Sequence, residues 1–185
     1  MGGSLTEDEI KTIKDNEKYY HIENFVETGT YKCDTTMLAA KNFKKVFTTE
    51  IVKKLYEDAQ KIAHEFNNIS FLFGDSVELL NIIMPQITEG SIFFLDAHQS
   101  GPDTGNNNKQ LVPLIEEINT ILSYKLGPSI FILDDLRFWK GKELSSVAFD
   151  WDHISTSGII QNFITNGKNI VDFYEKNDRF WVFTD

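Results

Sequence analysis

Two short apolar runs, Ser91-Ile-Phe-Phe-Leu-Asp96 and Ser129-Ile-Phe-Ile-Leu-Asp134, constrain the fold of this chain more than any other feature. Each is rich in Ile and Phe, too short for a helix, and preceded directly by Gly90 or Pro128. Apolar runs of this kind, without polar alternation, form strands buried on both faces, as in a parallel sheet covered by helices. Both stop abruptly in a carboxylate. Asp96 is followed by Ala97-His98-Gln99-Ser100-Gly101, and Asp134 by Asp135. In open α/β sheets ligands bind beyond the carboxyl ends of the strands, so Asp96, His98, Asp134 and Asp135 are expected to converge there.

The remaining chain repeats the order strand, turn, helix. From Ser4 to about Tyr20 the spacing is helical, with Ser4 and Glu7 placed as a capping box. Asn24 to Thr28 reads as a strand entering a turn at Gly29, and helical spacing resumes from Thr35 or Thr36 to Phe43. Lys45 to Glu50 is a second strand. It leads into a helix from Ile51 to Phe66 with Ile51, Leu55, Ala59, Ile62 and Phe66 on one apolar face. Ile69 to Phe73 is a third strand, and Ser76 to about Met84 a helix that Pro85 stops. Residues 102–110, around Asn106-Asn107-Asn108, form a polar loop expected to be mobile and to close on substrate. Leu111 to Tyr124 is helical, and Gly127-Pro128 ends it. Asn169 to Tyr174 and Arg179 to Phe183, joined across Glu175-Lys-Asn-Asp178, read as a β-hairpin. The plan is a single α/β domain over 24–185 with a doubly wound seven-stranded sheet and a C-terminal antiparallel β-hairpin. An N-terminal helical segment, 1–23, precedes it.

At 185 residues one core is expected. A net charge of −10 and a pI near 4.8 argue against a nucleic-acid partner, which would need clustered Lys and Arg. The single cysteine, Cys33, permits neither an intramolecular disulfide nor a cysteine-zinc cluster and fits a cytoplasmic location. No apolar run approaches the roughly 20 residues of a membrane span. Met1-Gly2-Gly3-Ser4 reads as an expression scar rather than a targeting segment.

The turn after the first strand, Val26 to Thr36, holds one glycine where a dinucleotide fingerprint needs three. Gly29 allows close backbone approach, and the next helix offers free N–H groups. Tyr31 and Asp34 occupy the other glycine positions, which obstructs a pyrophosphate but not a nucleoside carrying an amino acid. Glu50, some 21 residues after Gly29, is placed to accept both hydroxyls of a ribose. Asp75 could accept from an adenine amino group, although either Asp75 or Ser76 could serve only as a helix cap.

Glu27-Thr-Gly-Thr-Tyr31, Glu50, Gly74-Asp-Ser76, Leu95-Asp-Ala-His-Gln-Ser-Gly101, Val112-Pro-Leu-Ile-Glu-Glu-Ile118 and Ile132-Leu-Asp-Asp-Leu-Arg-Phe138 together carry a resemblance. Over roughly residues 24–139 the chain resembles class I S-adenosylmethionine-dependent methyltransferases. It is most similar to the macrocin O-methyltransferase-like enzymes that methylate sugar hydroxyls. The resemblance implies a Rossmann-like fold and S-adenosylmethionine as cofactor. Glu27, Gly29 and Tyr31 would border its methionine part, Glu50 the ribose and Asp75 the adenine, with Thr30, Thr35, Thr36, Ser76 and Asp96 as further cofactor-binding candidates. It also implies a divalent metal held by Asp96, Asp134 and Asp135. Cys33 departs from the pattern, which more often has glycine.

A sugar hydroxyl is a poor nucleophile at neutral pH, so a base or a coordinated cation is required. His98 is the natural base, with Asp96 a second candidate. Three carboxylates on strand ends about 5 Å apart need a compensating cation, and hard oxygen ligands suit Mg²⁺, Mn²⁺ or Ca²⁺. Arg137, Trp139, Trp151 and His153 are candidates to line an acceptor site, and His21 and His64 are expected on the surface. The expected partner is a sugar or glycan, with a homo-oligomer left open. Three other readings stay open: a phenol or catechol acceptor, a metal-dependent hydrolase on the same acids, and a catalytically silent cofactor-binding subunit.

Overall fold

A computed structural model describes residues 3–87, 89–99, 104–105, 111–141 and 151–185. Apart from Thr104 and Gly105, the expected closing loop at 102–110 lies outside the described residues. The strands are β1 (Asn24–Thr28), β2 (Lys45–Glu50), β3 (Ile69–Phe73), β4 (Ser91–Leu95), β5 (Ser129–Leu133), β6 (Ile170–Lys176) and β7 (Arg179–Thr184). They form one sheet in the order β3-β2-β1-β4-β5-β7-β6. The first five are parallel, and β7 pairs antiparallel with both β5 and β6. This is the expected seven-stranded α/β plan with its terminal hairpin.

The two Ile/Phe runs are adjacent, with Phe93 opposite Phe131 and their rings stacked at 4.8 Å. Successive strand residues point to opposite faces, so each run feeds two cores. Val26, Phe47, Phe93 and Phe131 pack with residues of α4 (Ser76–Ile83), α5 (Leu114–Leu122) and α7 (Thr156–Thr165). Phe25, Val46, Ile92, Phe94 and Ile132 pack against α1 (Glu7–Lys14) and α2 (Asp34–Asn42). A short helix, α6 (Leu136–Trp139), follows β5. Among the described residues no helix is long and apolar enough to cross a membrane.

Three elements differ from the sequence expectation. The capping box falls on Thr6 and Glu9, two residues later than Ser4 and Glu7. The later frame buries Leu5 before the cap against Ile10 after it, the hydrophobic staple, and turns Glu9 inward. α3 (Lys53–Ile62) is shorter than expected, and of its apolar face only Ala59 is buried, because it lies over β3 at the sheet edge. The hairpin turn is the two residues Asn177 and Asp178, both at positive φ, with Lys176 paired to Arg179. Such a turn matches the twist of its strands and favours Asn and Asp.

Candidate active site

The strand order reverses between β1 and β4, and a cleft opens beyond their carboxyl ends, where ligands of open α/β sheets bind. Gly29, at φ +87°, lies at that point, where a Cβ would sit 2.7 Å from the carbonyl oxygen of Asp96. Only glycine permits both the conformation and the approach. The next turns use strained non-glycine backbone, with Tyr31 at φ 47° and Cys33 at φ 71°. Cys33 therefore holds in the left-handed region the place where the resemblance has glycine.

Glu50 ends β2 with its carboxylate at the cleft wall. Its Oε2 accepts from the Tyr31 N–H at 2.9 Å and its Oε1 from the Val52 N–H at 2.8 Å. Each oxygen retains a second lone pair for a ligand hydroxyl. Asp75 also borders the cleft, and its Oδ1 caps α4 by accepting from the Glu78 N–H, so the capping role holds whether or not it binds a ligand.

Of the residues expected around a cofactor, Gly29, Tyr31, Glu50, Asp75, Ser76 and Asp96 line the cleft. Glu27, Thr30, Thr35 and Thr36 do not: they sit behind it. Glu27 is buried and accepts from Thr36 at 2.5 Å and Thr48 at 2.6 Å, and burial pushes its carboxyl up to about 8 despite those hydroxyls. Thr30 bonds Thr48 and the Thr49 carbonyl, and Thr35 accepts from the Leu5 N–H. Sequence reading missed Ile51, Leu55, Leu111 and Pro113, which supply apolar lining. Ile51 had a signal, since it directly follows the strand-end acid.

At the other end of the cleft the acids gather. His98 lies between two of them, Nε2 at 2.8 Å from Asp135 Oδ2 and Nδ1 at 3.5 Å from Asp96 Oδ1. Burial alone would lower the imidazole, but the two carboxylates prevail and raise it to about 10. His98, the expected base, is thus an imidazolium in this arrangement. The Nε2 contact is that of an ion pair rather than an aligned hydrogen bond. Asp135, at φ 61°, also pairs with Arg137 at 2.5 Å; burial would raise its carboxyl, yet His98 and Arg137 hold it below the usual range. Burial raises Asp96, the one acid of this cluster that lines the cleft.

Asp134 takes a different partner. Its Oδ1 lies 3.2 Å from Nε of Arg179, which is also bonded to Glu9 Oε1 at 2.8 Å and to the Gly3 carbonyl. Antiparallel pairing of β7 with β5 puts the start of one strand beside the end of the other, delivering Arg179 to this edge. The compensating cations expected for the acids are thus partly internal: Arg179 for Asp134, and His98 with Arg137 for Asp135. Arg179 and Glu9 were not among the expected site residues. A buried acid of α5, Glu117, adjoins the cluster, accepting from Thr28 at 3.2 Å, and burial raises it to about 8.

Among the described residues, ligand atoms of Asp96, His98 and Asp135 come within 4.8 Å of one another. Two carboxylates and a buried imidazole nitrogen lacking an aligned hydrogen bond suit a divalent ion. Asp134, included in the implied metal set, lies outside this trio. Trp139 and Trp151 are core residues, Trp151 packing on His98 at 5.3 Å and Trp139 on Phe180 at 6.0 Å. Neither exposes a face for a sugar ring. Arg137 is tied to Asp135 and Asp178, and His153, His21 and His64 are exposed.

The fold is that of the class I methyltransferases. An O-methyltransferase from Streptomyces achromogenes, TomG, solved with SAM, matches 98% of this chain and 81% of its own at a TM-score of 0.65 and 13% identity. An O-methyltransferase from Bacillus cereus, solved with SAH, matches 98% and 82% at 0.63 and 16% identity. A ribosomal protein L11 methylase from Lactobacillus delbrueckii matches 100% and 81% at 0.55 and 13% identity. No protein-family model and no curated protein sequence matches the chain. The likeness is therefore one of architecture, and it spans acceptors as different as a small-molecule pathway enzyme's and a ribosomal protein.

Proposed function

We propose that this protein is an S-adenosylmethionine-dependent O-methyltransferase whose acceptor is a hydroxyl of a sugar or glycan. The observation that carries the reading is one cleft with two chemically distinct ends. At one, Glu50 is locked by two backbone N–H groups with apolar Ile51 beside it; at the other, Asp96 meets His98 and Asp135. Two structural neighbours solved with SAM or SAH support the cofactor. The acidic mouth and the net charge of −10 favour an uncharged acceptor over a phosphorylated one. Buried, unpaired Cys33 agrees with a cytoplasmic setting.

In this reading Glu50 would hold the ribose, and Gly29 would let the cofactor approach the β1–β4 crevice closely. Bound there, the cofactor would supply an electrophilic methyl group for in-line attack by the acceptor oxygen, and Asp96 would take up the hydroxyl proton. While it carries its proton, His98 fixes Asp96 and Asp135 in position; a divalent ion bound there would displace that proton, because only the neutral imidazole offers a lone pair. A divalent ion held by Asp96, His98 and Asp135 would supply Lewis acidity that lowers the hydroxyl pKa.

The test is calorimetry with S-adenosylhomocysteine followed by methyl transfer from radiolabelled cofactor to a panel of sugars. Micromolar binding and labelled sugar are expected. No binding would overturn the cofactor assignment. Binding with transfer only to phenols would overturn the sugar, and binding without any transfer would favour the silent subunit.

A further inference from the structure

We propose that Arg179 withholds Asp134 from the cation site, so that His98 takes its place as the third donor and the site selects a borderline transition-metal ion over Mg²⁺ or Ca²⁺. The inference concerns the same cleft as the proposed methyl transfer, but its test needs neither cofactor nor acceptor, so either can fail without the other.

Asp134 and Arg179 are both at least 95% buried, and the guanidinium is gripped from three directions. Glu9 of α1 bonds it at 2.8 Å, the Gly3 carbonyl accepts from its other nitrogen, and its plane lies 5.5 Å from the Phe94 ring centre. Glu9 is itself fixed by the Thr6 cap and by Asn177 of the hairpin turn. Arg179 therefore cannot swing away to release Asp134 without unseating both α1 and the hairpin. A dication brought to Asp134 would also face that guanidinium, whose Nε is 3.2 Å from the carboxylate in an ion pair without an aligned hydrogen bond, so charge rather than bonding geometry does the withholding.

The neighbouring acid is turned the other way. Asp135 adopts a left-handed conformation, and its carboxylate meets His98 Nε2 at 2.8 Å. The His98 side chain is nine-tenths buried, and that nitrogen makes no aligned hydrogen bond. With Asp96 it completes the three-donor group. Replacing one of three carboxylates by an imidazole changes the preferred ion. Carboxylate-only sets suit Mg²⁺, Ca²⁺ and Mn²⁺, whereas an added imidazole favours Co²⁺, Ni²⁺ or Zn²⁺. The competing account is that His98 is only a counter-charge between two carboxylates. It predicts the opposite sign on mutation, because deleting a counter-charge frees both acids for a dication.

The experiment is competitive titration of the full-length protein with Mg²⁺, Ca²⁺, Mn²⁺, Co²⁺ and Zn²⁺ against a metal-sensitive dye, on the wild type, His98→Ala and Asp134→Asn. Co²⁺ and Zn²⁺ are expected to bind at least a hundredfold tighter than Mg²⁺. His98→Ala should weaken them at least thirtyfold, and Asp134→Asn less than tenfold. Imidazole nitrogen NMR of the wild type needs no variant to fold: with four histidines, one should move to a metal-bound shift on adding Zn²⁺. Tighter binding in His98→Ala, a loss in Asp134→Asn as large as that expected for His98→Ala, equal affinity for Mg²⁺ and Co²⁺, no ion bound, or no histidine moved by Zn²⁺ would each overturn the proposal.

Discussion

Replacing Arg179 by Met should be among the most destabilising single changes in this protein. Methionine keeps much of the side-chain length against Phe94 but leaves two buried carboxylates, Glu9 and Asp134, without their cation. The three side chains are exposed by only 4%, 1% and 2%, so water cannot take over. Removing one member of a buried ion pair costs about 3–5 kcal/mol, against less than about 1 kcal/mol for a surface pair. For a domain of this length that corresponds to a fall in Tm of roughly 6–20 °C. Burial would raise the Glu9 carboxyl, but Arg179 and the Thr6 and Asn177 bonds hold it below the usual range. A lowered acid contributes stability that is present above its unfolded pKa and lost as pH falls through its folded one. The gap between wild type and Arg179→Met should therefore be widest near or above pH 7 and narrow as pH falls, because burial raises the orphaned acids of the variant and they take up protons before the wild-type Glu9 does. Urea unfolding followed by circular dichroism measures it. Combining Arg179→Met with Glu9→Gln should cost at least about 1 kcal/mol less than the two separate losses added together. A loss below about 1 kcal/mol, or simple additivity, would refute the claim that this pair is buried and coupled.

The remaining expectations concern the cleft and its supports. Gly29→Ala puts a Cβ 2.7 Å from the Asp96 carbonyl at a φ that L-residues avoid, so it should cost about 1–3 kcal/mol and weaken S-adenosylhomocysteine at least tenfold by calorimetry. Glu50→Gln should leave the fold intact and weaken the same ligand about tenfold to a hundredfold, the range of a lost charged hydrogen bond; undiminished affinity would remove Glu50 from the ribose role. Burial raises Glu27 to about 8, so its contribution to stability is full below about 4.5 and disappears as pH climbs through 8. Glu27→Gln keeps an acceptor for Thr36 and Thr48, and thermal melts at pH 6 and pH 9 should differ less in the variant than in the wild type.

What the sequence disclosed, and what it hid, follows from the range of each interaction. Strands buried on both faces are uniformly apolar, so the step from Leu95 to Asp96 and from Leu133 to Asp134 marks strand ends without any tertiary knowledge. Glu50 ends the mixed strand Lys45–Glu50 and Gly29 follows the mixed strand Asn24–Thr28, so the strand-turn-helix order places them at strand ends instead. Thr35 and Thr36 do not line the cleft: a helix turns about 100° per residue, and spacing from Gly29 does not say which side faces it. One meets Leu5 and the other Glu27. Arg179 was illegible because its partner Glu9 is 170 residues away, and at a hairpin corner an arginine looks like an ordinary surface residue. The capping box was ambiguous because Ser4-x-x-Glu7 and Thr6-x-x-Glu9 satisfy the same local rule. Packing of Leu5 and the demand of Arg179 for Glu9 select the second.

The hairpin therefore does more than close the sheet. A parallel strand in its place would begin at the far edge, and nothing would bring a cation to the acids at the carboxyl end of β5. Antiparallel β7 brings Arg179 there, and the turn before it brings Asp178, which bonds Arg137. Among the described residues in ion pairs around this edge, five carboxylates, Glu9, Asp96, Asp134, Asp135 and Asp178, face three cations, His98, Arg137 and Arg179. At most two negative charges remain unmatched, and burial, which raises both Asp96 and Asp134, opposes their ionisation until a cation arrives. Asp134 and Asp135 each contact an arginine, whereas among the described residues Asp96 pairs only with the more distant His98 and is more than a quarter exposed. The unmatched charge thus lies where a sulfonium or a dication would arrive, and the arginines neutralise the acids that stand farther back. That division lets one crowded strand edge be stable when empty and still attract a cationic reactant.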